Sequence, residues 1–137
     1  MPLQRDYILA IIEQFFQALR RVVESIRNTQ QPTETDLQQF EDLYNIFLND
    51  NRQYFLTAKI TDIYATFGNS DKTMAQKEML AELLYSELEL FDHHNHKREI
   101  CEKLLALYDD IDNESDSFSF RRAQRRQAVN EMLELLE

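Results

Sequence analysis

The chain has 137 residues and a formal net charge of −10, from 15 basic and 25 acidic residues. A chain of this length is expected to form one domain, covering residues 1–137. The negative charge opposes non-specific binding to nucleic acid or to an anionic membrane. One glycine and two prolines are too few for the tight turns of a sheet protein, so the composition predicts an all-α fold.

The first predicted helix covers about residues 3–27 and has heptad-like apolar spacing. A second set of apolar residues widens its apolar face, so the helix is expected to contact neighbours on two sides. Two interpretations stay open: the helix is central to its own bundle, or it shares the stripe with a second copy of the chain. The stripe consists of Ile8, Ile12, Phe15, Leu19, Val22 and Ile26.

Two further helices are predicted at about 36–48 and 53–67. The first is expected to begin at a capping box over Thr35–Gln38. It ends at Asn49–Asn51, whose side chains compete for backbone hydrogen bonds. Gly68 ends the helix predicted at 53–67, because glycine takes the left-handed conformation at no steric cost.

The second half predicts helices at about 72–91 and 97–111, the first beginning at a box-like Thr73–Gln76. The apolar spacing is interrupted between Phe91 and Ile100, where all the residues are polar. A turn near His94 and Asn95 is therefore expected, which makes the two helices an antiparallel hairpin.

An acidic loop over residues 109–116 and a last helix at about 119–136 complete the prediction. The last helix is expected to bury Phe120, Ala123, Val129, Met132, Leu133 and Leu136. The whole chain then forms a bundle of about six helices, and its second half resembles helical-repeat packing. No internal sequence repeat supports a true repeat array.

Two short motifs carry a resemblance to a known family. The start, Asp6-Tyr7-Ile8-Leu9 followed by Ile12-Glu13-Gln14, and the segment Ser117-Phe118-Ser119-Phe120-Arg121-Arg122 resemble a family of uncharacterised small bacterial proteins. An arginine commonly follows the Ile-Leu pair in that family, whereas this chain has Ala10. The resemblance implies a helical, tetratricopeptide-like fold, and it implies no activity, because none is established for the family.

A histidine cluster is the strongest candidate for chemistry. All three histidines lie in the segment Asp92-His93-His94-Asn95-His96. Imidazole and carboxylate ligands suit zinc or another divalent ion, so Asp92, His93 and His96 are candidate metal ligands. The alternative is an exposed polar turn that binds nothing, because a metal site requires a fixed geometry.

A row of arginines on the last helix is the second candidate. Arg121, Arg122, Arg125 and Arg126 share about one face of the helix. They could hold phosphate groups of a nucleic acid. The negative net charge and the acidic run just upstream favour internal ion pairs or an acidic partner instead.

Several classes of function have no supporting motif. One glycine cannot build a phosphate-binding loop or a dinucleotide fingerprint, and no nucleophile elbow is present, so no cofactor and no catalytic residue is expected. Cys101 lies beside apolar residues and is expected to be structural. A single cysteine, no visible signal peptide and no long apolar run predict a cytoplasmic protein that does not span a membrane.

The leading hypothesis is a non-catalytic helical interaction module that contacts a protein partner or a second copy of itself. Its expected self-association surface is the first helix, at Ile8, Ile12, Phe15 and Leu19. A metal-dependent protein using the histidine cluster, and a nucleic-acid binder using the arginine row, are the alternatives.

Overall fold

The computed structural model describes residues 2–29, 31–115 and 118–136, with the backbone alone at residues 2–4. The described residues form seven helices and no strand, so the all-α prediction is confirmed. The helices are α1 (Pro2–Arg27), α2 (Glu34–Leu48), α3 (Arg52–Thr57), α4 (Ile60–Phe67), α5 (Thr73–Leu90), α6 (Lys97–Glu114) and α7 (Phe120–Leu135). None of these described helices is long and apolar enough to cross a membrane.

One hydrophobic core contains buried residues from all seven helices. The bundle interpretation of the α1 stripe is confirmed from Phe15 to Ile26, whose side chains belong to this core. Phe15 and Leu19 are therefore almost completely covered within a single chain. Ile8 and Ile12, nearer the start of the helix, are only half-buried.

The long helices pack with alternating direction along the chain. Ser25 near the end of α1 bonds Asp36 near the start of α2, at 2.8 Å. Lys77 near the start of α5 pairs with Glu114 at the end of α6, at 2.8 Å. Because residues 91–96 join the other ends of α5 and α6, the expected antiparallel hairpin is confirmed.

Two contacts show that α1 runs parallel to α5. At their starts, the ammonium of Lys72 lies 5.5 Å from the centre of the Tyr7 ring. At their ends, Arg27 and Glu89 form an ion pair at 3.5 Å. The two helices therefore lie side by side along most of their lengths.

Both predicted capping boxes are wrong in detail. The capping box of α2 is formed by Thr33 and Asp36, and not by Thr35. Thr33 Oγ1 accepts a hydrogen bond from the Asp36 amide, and Asp36 Oδ2 accepts one from the Thr33 amide. The bond from Ser25 to the same carboxylate favours this earlier start. At α5, Thr73 is the first helical residue, and its hydroxyl accepts from the Ser70 amide, outside the helix.

The predicted helix at 53–67 is two helices, because Ala58 and Lys59 have extended backbone. The break is stabilised from outside the segment. Lys103 of α6 donates to the carbonyls of Phe55 and Leu56 at 2.8 and 3.1 Å, and so satisfies the end of α3. The predicted break at Asn49–Asn51 and the stop at Gly68 are confirmed.

The acidic loop predicted at 109–116 is wrong for its first part, because α6 continues to Glu114. Ile111 is buried in the core, and basic residues of α5 and α7 pair with carboxylates of this stretch. These contacts offset the repulsion between neighbouring acidic residues. Asp116 lies outside the described residues.

The core of the last helix is smaller than predicted. Val129 is fully buried, and Met132 and Leu133 pack against the core. Phe120, in contrast, is 68% exposed. It precedes Val129 by nine residues, which places the two side chains on opposite faces of a helix. Leu136 is also exposed, since it lies beyond the last turn of α7.

Candidate functional site

A buried carboxylate, Glu87 of α5, joins several elements of the fold. Arg52 at the start of α3 donates two hydrogen bonds to it, from Nε to Oε2 at 2.7 Å and from Nη2 to Oε1 at 2.8 Å. The hydroxyl of Tyr44 in α2 donates to Oε2 at 2.7 Å. His93, between α5 and α6, places Nε2 3.0 Å from Oε1.

Hydrogen bonds within this cluster keep the Glu87 carboxylate ionised. Burial raises the pKa of Glu87, but the hydrogen bonds from Arg52 and His93 outweigh burial and hold the pKa below its usual value. Burial and the Glu87 charge together raise the pKa of Tyr44 well above its usual value. The guanidinium of Arg52 also lies 4.9 Å from the centre of the Phe91 ring. Both carboxylate oxygens are occupied by partners within the fold, so the arrangement suits a structural joint.

Sequence reasoning missed this cluster, although a signal was present. Glu87 follows Leu83 by four residues and Leu84 by three, so it continues the apolar stripe of its helix. An acidic residue at such a position is buried and needs a charged partner. That partner, Arg52, is 35 residues away along the chain, and no local pattern identifies it.

The structure does not bring the three candidate metal ligands together. His93 turns inward to Glu87, whereas Asp92 pairs with His94 at 3.2 Å and His96 faces Glu99 at 3.7 Å. Among the described residues, no group of three or more histidine, cysteine or acidic side chains is placed to hold a metal ion. Metal binding by Asp92, His93 and His96 stays a prediction without support from the geometry.

The four arginines of α7 form ion pairs with two neighbouring helices. Arg121 and Arg125 share the carboxylate of Glu82 in α5. Arg122 and Arg126 contact α6, where both pair with Asp112 at 2.6 Å and Arg126 also pairs with Asp109. Burial raises the pKa of Asp112, but these two arginines outweigh burial and lower it. The internal ion pairs expected from the acidic run are therefore present, with Glu82 as a further partner that the sequence did not indicate.

A cleft opens between the first half of α1, the end of α2 and the start of α5. Its volume is about 360 Å³. Tyr7 and Ile46 stand at this cleft with 58% and 67% of their surface exposed. Its apolar lining consists of Tyr7, Ile8, Ile11, Ile46, Phe47, Ala75 and Met79. We refer to this feature as the apolar cleft.

The apolar cleft also carries a few polar groups. Gln14, Asn49, Lys72 and Gln76 line it together with the apolar side chains. The Oε1 atom of Gln76 is buried and has no hydrogen-bond donor among the described residues. An unsatisfied buried acceptor costs about 1–3 kcal/mol.

The single thiol is not part of any of these sites. Cys101 is buried in α6, and burial raises the pKa of its thiol. Both properties disfavour the thiolate form that a nucleophile needs, and they fit the structural role expected from the sequence.

Comparison of the chain with protein-family models, with curated proteins and with solved structures gives no match.

Proposed function

We propose that the protein is a non-catalytic, cytoplasmic interaction module, and that the apolar cleft binds a short amphipathic segment of a protein partner. The observation that carries the proposal is the cleft itself, lined by apolar side chains that remain exposed at Tyr7 and Ile46. Its volume of about 360 Å³ lies in the range of pockets that bind ligands.

The chemistry of the lining indicates what kind of segment fits. Apolar anchors of an amphipathic helix, spaced by three or four residues, can enter a groove of this type. Lys72 adds one positive charge beside Tyr7, so an acidic residue next to the apolar anchors is favoured.

The test uses peptides selected from a random display library on the full chain. The affinity of the selected peptides is measured by fluorescence anisotropy for the wild type and two surface variants. Ile46→Lys places a charge in the cleft, whereas Leu135→Lys changes an equally apolar residue that is 87% exposed and lies outside the cleft. We expect at least about a tenfold loss of affinity, or about 1.4 kcal/mol, for Ile46→Lys and no change for Leu135→Lys.

Two results would contradict the proposal. The first is a selection that yields no peptide with measurable affinity for the wild type. The second is a set of peptides that bind the wild type and Ile46→Lys equally well. Circular dichroism on both variants checks that the fold is intact. Sedimentation of the wild type and Ile46→Lys also tests whether the segment belongs to a second copy of the chain.

A further inference from the structure

A second groove runs along the opposite half of α1. The second half of α1 and the start of α7 form its walls, and α5 forms its floor. It consists of two neighbouring cavities of about 330 and 170 Å³, which share Phe16, Glu82, Arg121 and Arg125. We refer to this feature as the arginine groove. It shares no lining residue with the apolar cleft.

The main cavity of the arginine groove is positively charged although the chain is strongly acidic. Four arginines line it: Arg20, Arg27, Arg121 and Arg125. Only two carboxylates, Glu82 and Glu89, lie among the same lining residues. Glu82 is shared between two guanidiniums, and the Arg27–Glu89 pair is long, at 3.5 Å, with the arginine side chain 58% exposed. Two positive charges therefore remain in excess in a chain of net charge −10.

Aromatic rings contact Arg121 and Arg125, the two arginines of α7 that line the main cavity. The guanidinium of Arg121 lies 5.6 Å from the centre of the Phe16 ring, and that of Arg125 lies 4.5 Å from the centre of the Tyr85 ring. Such contacts orient a guanidinium without using its N–H donors. Arg121 keeps 59% of its side chain exposed, so its donors remain accessible to a ligand.

The spacing of the arginines in the groove matches the spacing of acidic side chains along one face of a partner helix. Arg121 and Arg125 are one turn apart on α7, and Arg20 and Arg27 are two turns apart on α1. Acidic residues four apart on a partner helix have their Cβ atoms about 5–6 Å apart, which is the same repeat. From Phe16 to Arg27 the wall is about 16 Å long, or three turns of a helix.

We propose that the arginine groove binds an acidic amphipathic helix of a protein partner. The apolar face of that helix lies on Phe16 and Val23, which are only half-buried in the free chain. Its carboxylates pair with the arginines on either wall. A helix with a few carboxylates fits this local excess of positive charge, whereas a long polyanion such as a nucleic acid would also meet the repulsion of the whole acidic chain.

The test uses a fluorescein-labelled model peptide in which glutamate and leucine recur at helical spacing. A matched peptide with glutamine in place of glutamate, and a single-stranded DNA oligonucleotide, are measured in parallel. The protein is the full chain, as the wild type and as two double variants of equal charge change. Arg20→Gln with Arg27→Gln alters the groove, whereas Arg5→Gln with Arg21→Gln alters exposed arginines of α1 outside it.

We expect the acidic peptide to bind the wild type, and salt to weaken the binding. The groove variant should bind about tenfold more weakly, as expected for the loss of two partly exposed ion pairs. The control variant should bind like the wild type. Ile46→Lys should also bind the acidic peptide normally, which separates this proposal from the one for the apolar cleft.

Four results would overturn the proposal: no binding of the acidic peptide at low salt, equal binding by both double variants, equal binding of the glutamine peptide, or tighter binding of the DNA. The last result would instead support the nucleic-acid hypothesis. Circular dichroism confirms that each double variant is folded, and the substituted side chains are exposed in the free chain.

Discussion

At the scale of single residues, Gly68 shows how one backbone conformation determines where a helix ends. Its φ of 75° and ψ of −151° lie in a region that is essentially restricted to glycine. A Cβ atom added at this position would meet no heavy atom within 4 Å. The requirement for glycine is therefore conformational and does not come from a lack of space.

Gly68→Ala should lower the free energy of unfolding by about 1–3 kcal/mol, because alanine would be strained in this backbone conformation. Urea unfolding followed by circular dichroism measures the effect. Asn69→Ala is the matched control, because Asn69 is exposed and does not have a positive φ. A Gly68→Ala chain as stable as the wild type would show that the backbone can relax here.

At the scale of elements, a side chain from α6 caps the end of α3 at the break between α3 and α4. Lys103 is 8% exposed, and its ammonium bonds two carbonyls in the last turn of α3. A cation at the end of a helix also interacts favourably with the helix dipole. Burial lowers the pKa of Lys103, and its two carbonyl partners accept hydrogen bonds from the charged form.

Lys103→Met keeps an unbranched apolar side chain, one atom shorter, and removes both hydrogen bonds. The two carbonyls of α3 are then left without this donor, so the free energy of unfolding should fall by about 1–3 kcal/mol. Amide hydrogen exchange should rise locally in residues 52–60. Lys59→Met, an exposed lysine in the same region that makes no capping bond, should leave both measurements unchanged. Equal exchange in the two variants would contradict the capping role.

The two halves of α1 contribute to different proposed surfaces, the apolar cleft and the arginine groove. The first half of α1 contributes Tyr7, Ile8 and Ile11 to the apolar cleft. The second half contributes Phe16, Arg20 and further residues to the arginine groove. The apolar face of α1 is wider than the part that the core covers. The remaining side chains therefore line both surfaces.

At the scale of the whole molecule, the Glu87 cluster connects α2, α3, α5 and the segment before α6. Removing one member of a buried ion pair leaves an uncompensated charge, at a cost of about 3–5 kcal/mol. That cost is a large part of the total stability of a domain of this size. The four elements should therefore lose their packing together, and not one by one.

The same cluster predicts a dependence of stability on pH. The folded-state pKa of Glu87 is lowered, so the folded chain binds this proton less readily than the unfolded chain does. The stabilisation is complete above the unfolded pKa, about 4.3, and is lost as the pH falls through the folded pKa. Glu87→Gln should therefore be less stable than the wild type at neutral pH, by about 3 kcal/mol, and the difference should shrink in acid.

Urea unfolding of the wild type and Glu87→Gln over a series of pH values measures this difference. Glu13→Gln, an exposed residue of α1, is the control and should follow the wild type at every pH. A difference between the wild type and Glu87→Gln that stays constant down to the acid limit would show that the charge of Glu87 does not stabilise the fold.

The local parts of the fold were predictable from the sequence. The stripe from Phe15 to Ile26 and the stops at Asn49 and Gly68 depend only on side-chain spacing and backbone preference over a few residues. The cap at Thr33, in contrast, does not follow from the capping-box pattern, because the residue three positions on is Asp36, whereas Thr35 is followed by Gln38. The contact between Ser25 and Asp36, eleven residues apart, favours the start at Thr33.

The sequence by itself determined that the chain is helical, where most helices lie and that the arginines of α7 have acidic neighbours. Those properties follow from composition and from periodicity within single helices. Only the tertiary structure decided that Glu87 pairs with Arg52, that Lys103 caps the end of α3, and that an apolar cleft and an arginine groove flank α1. Each of these depends on side chains that are distant along the chain and meet only when the helices pack.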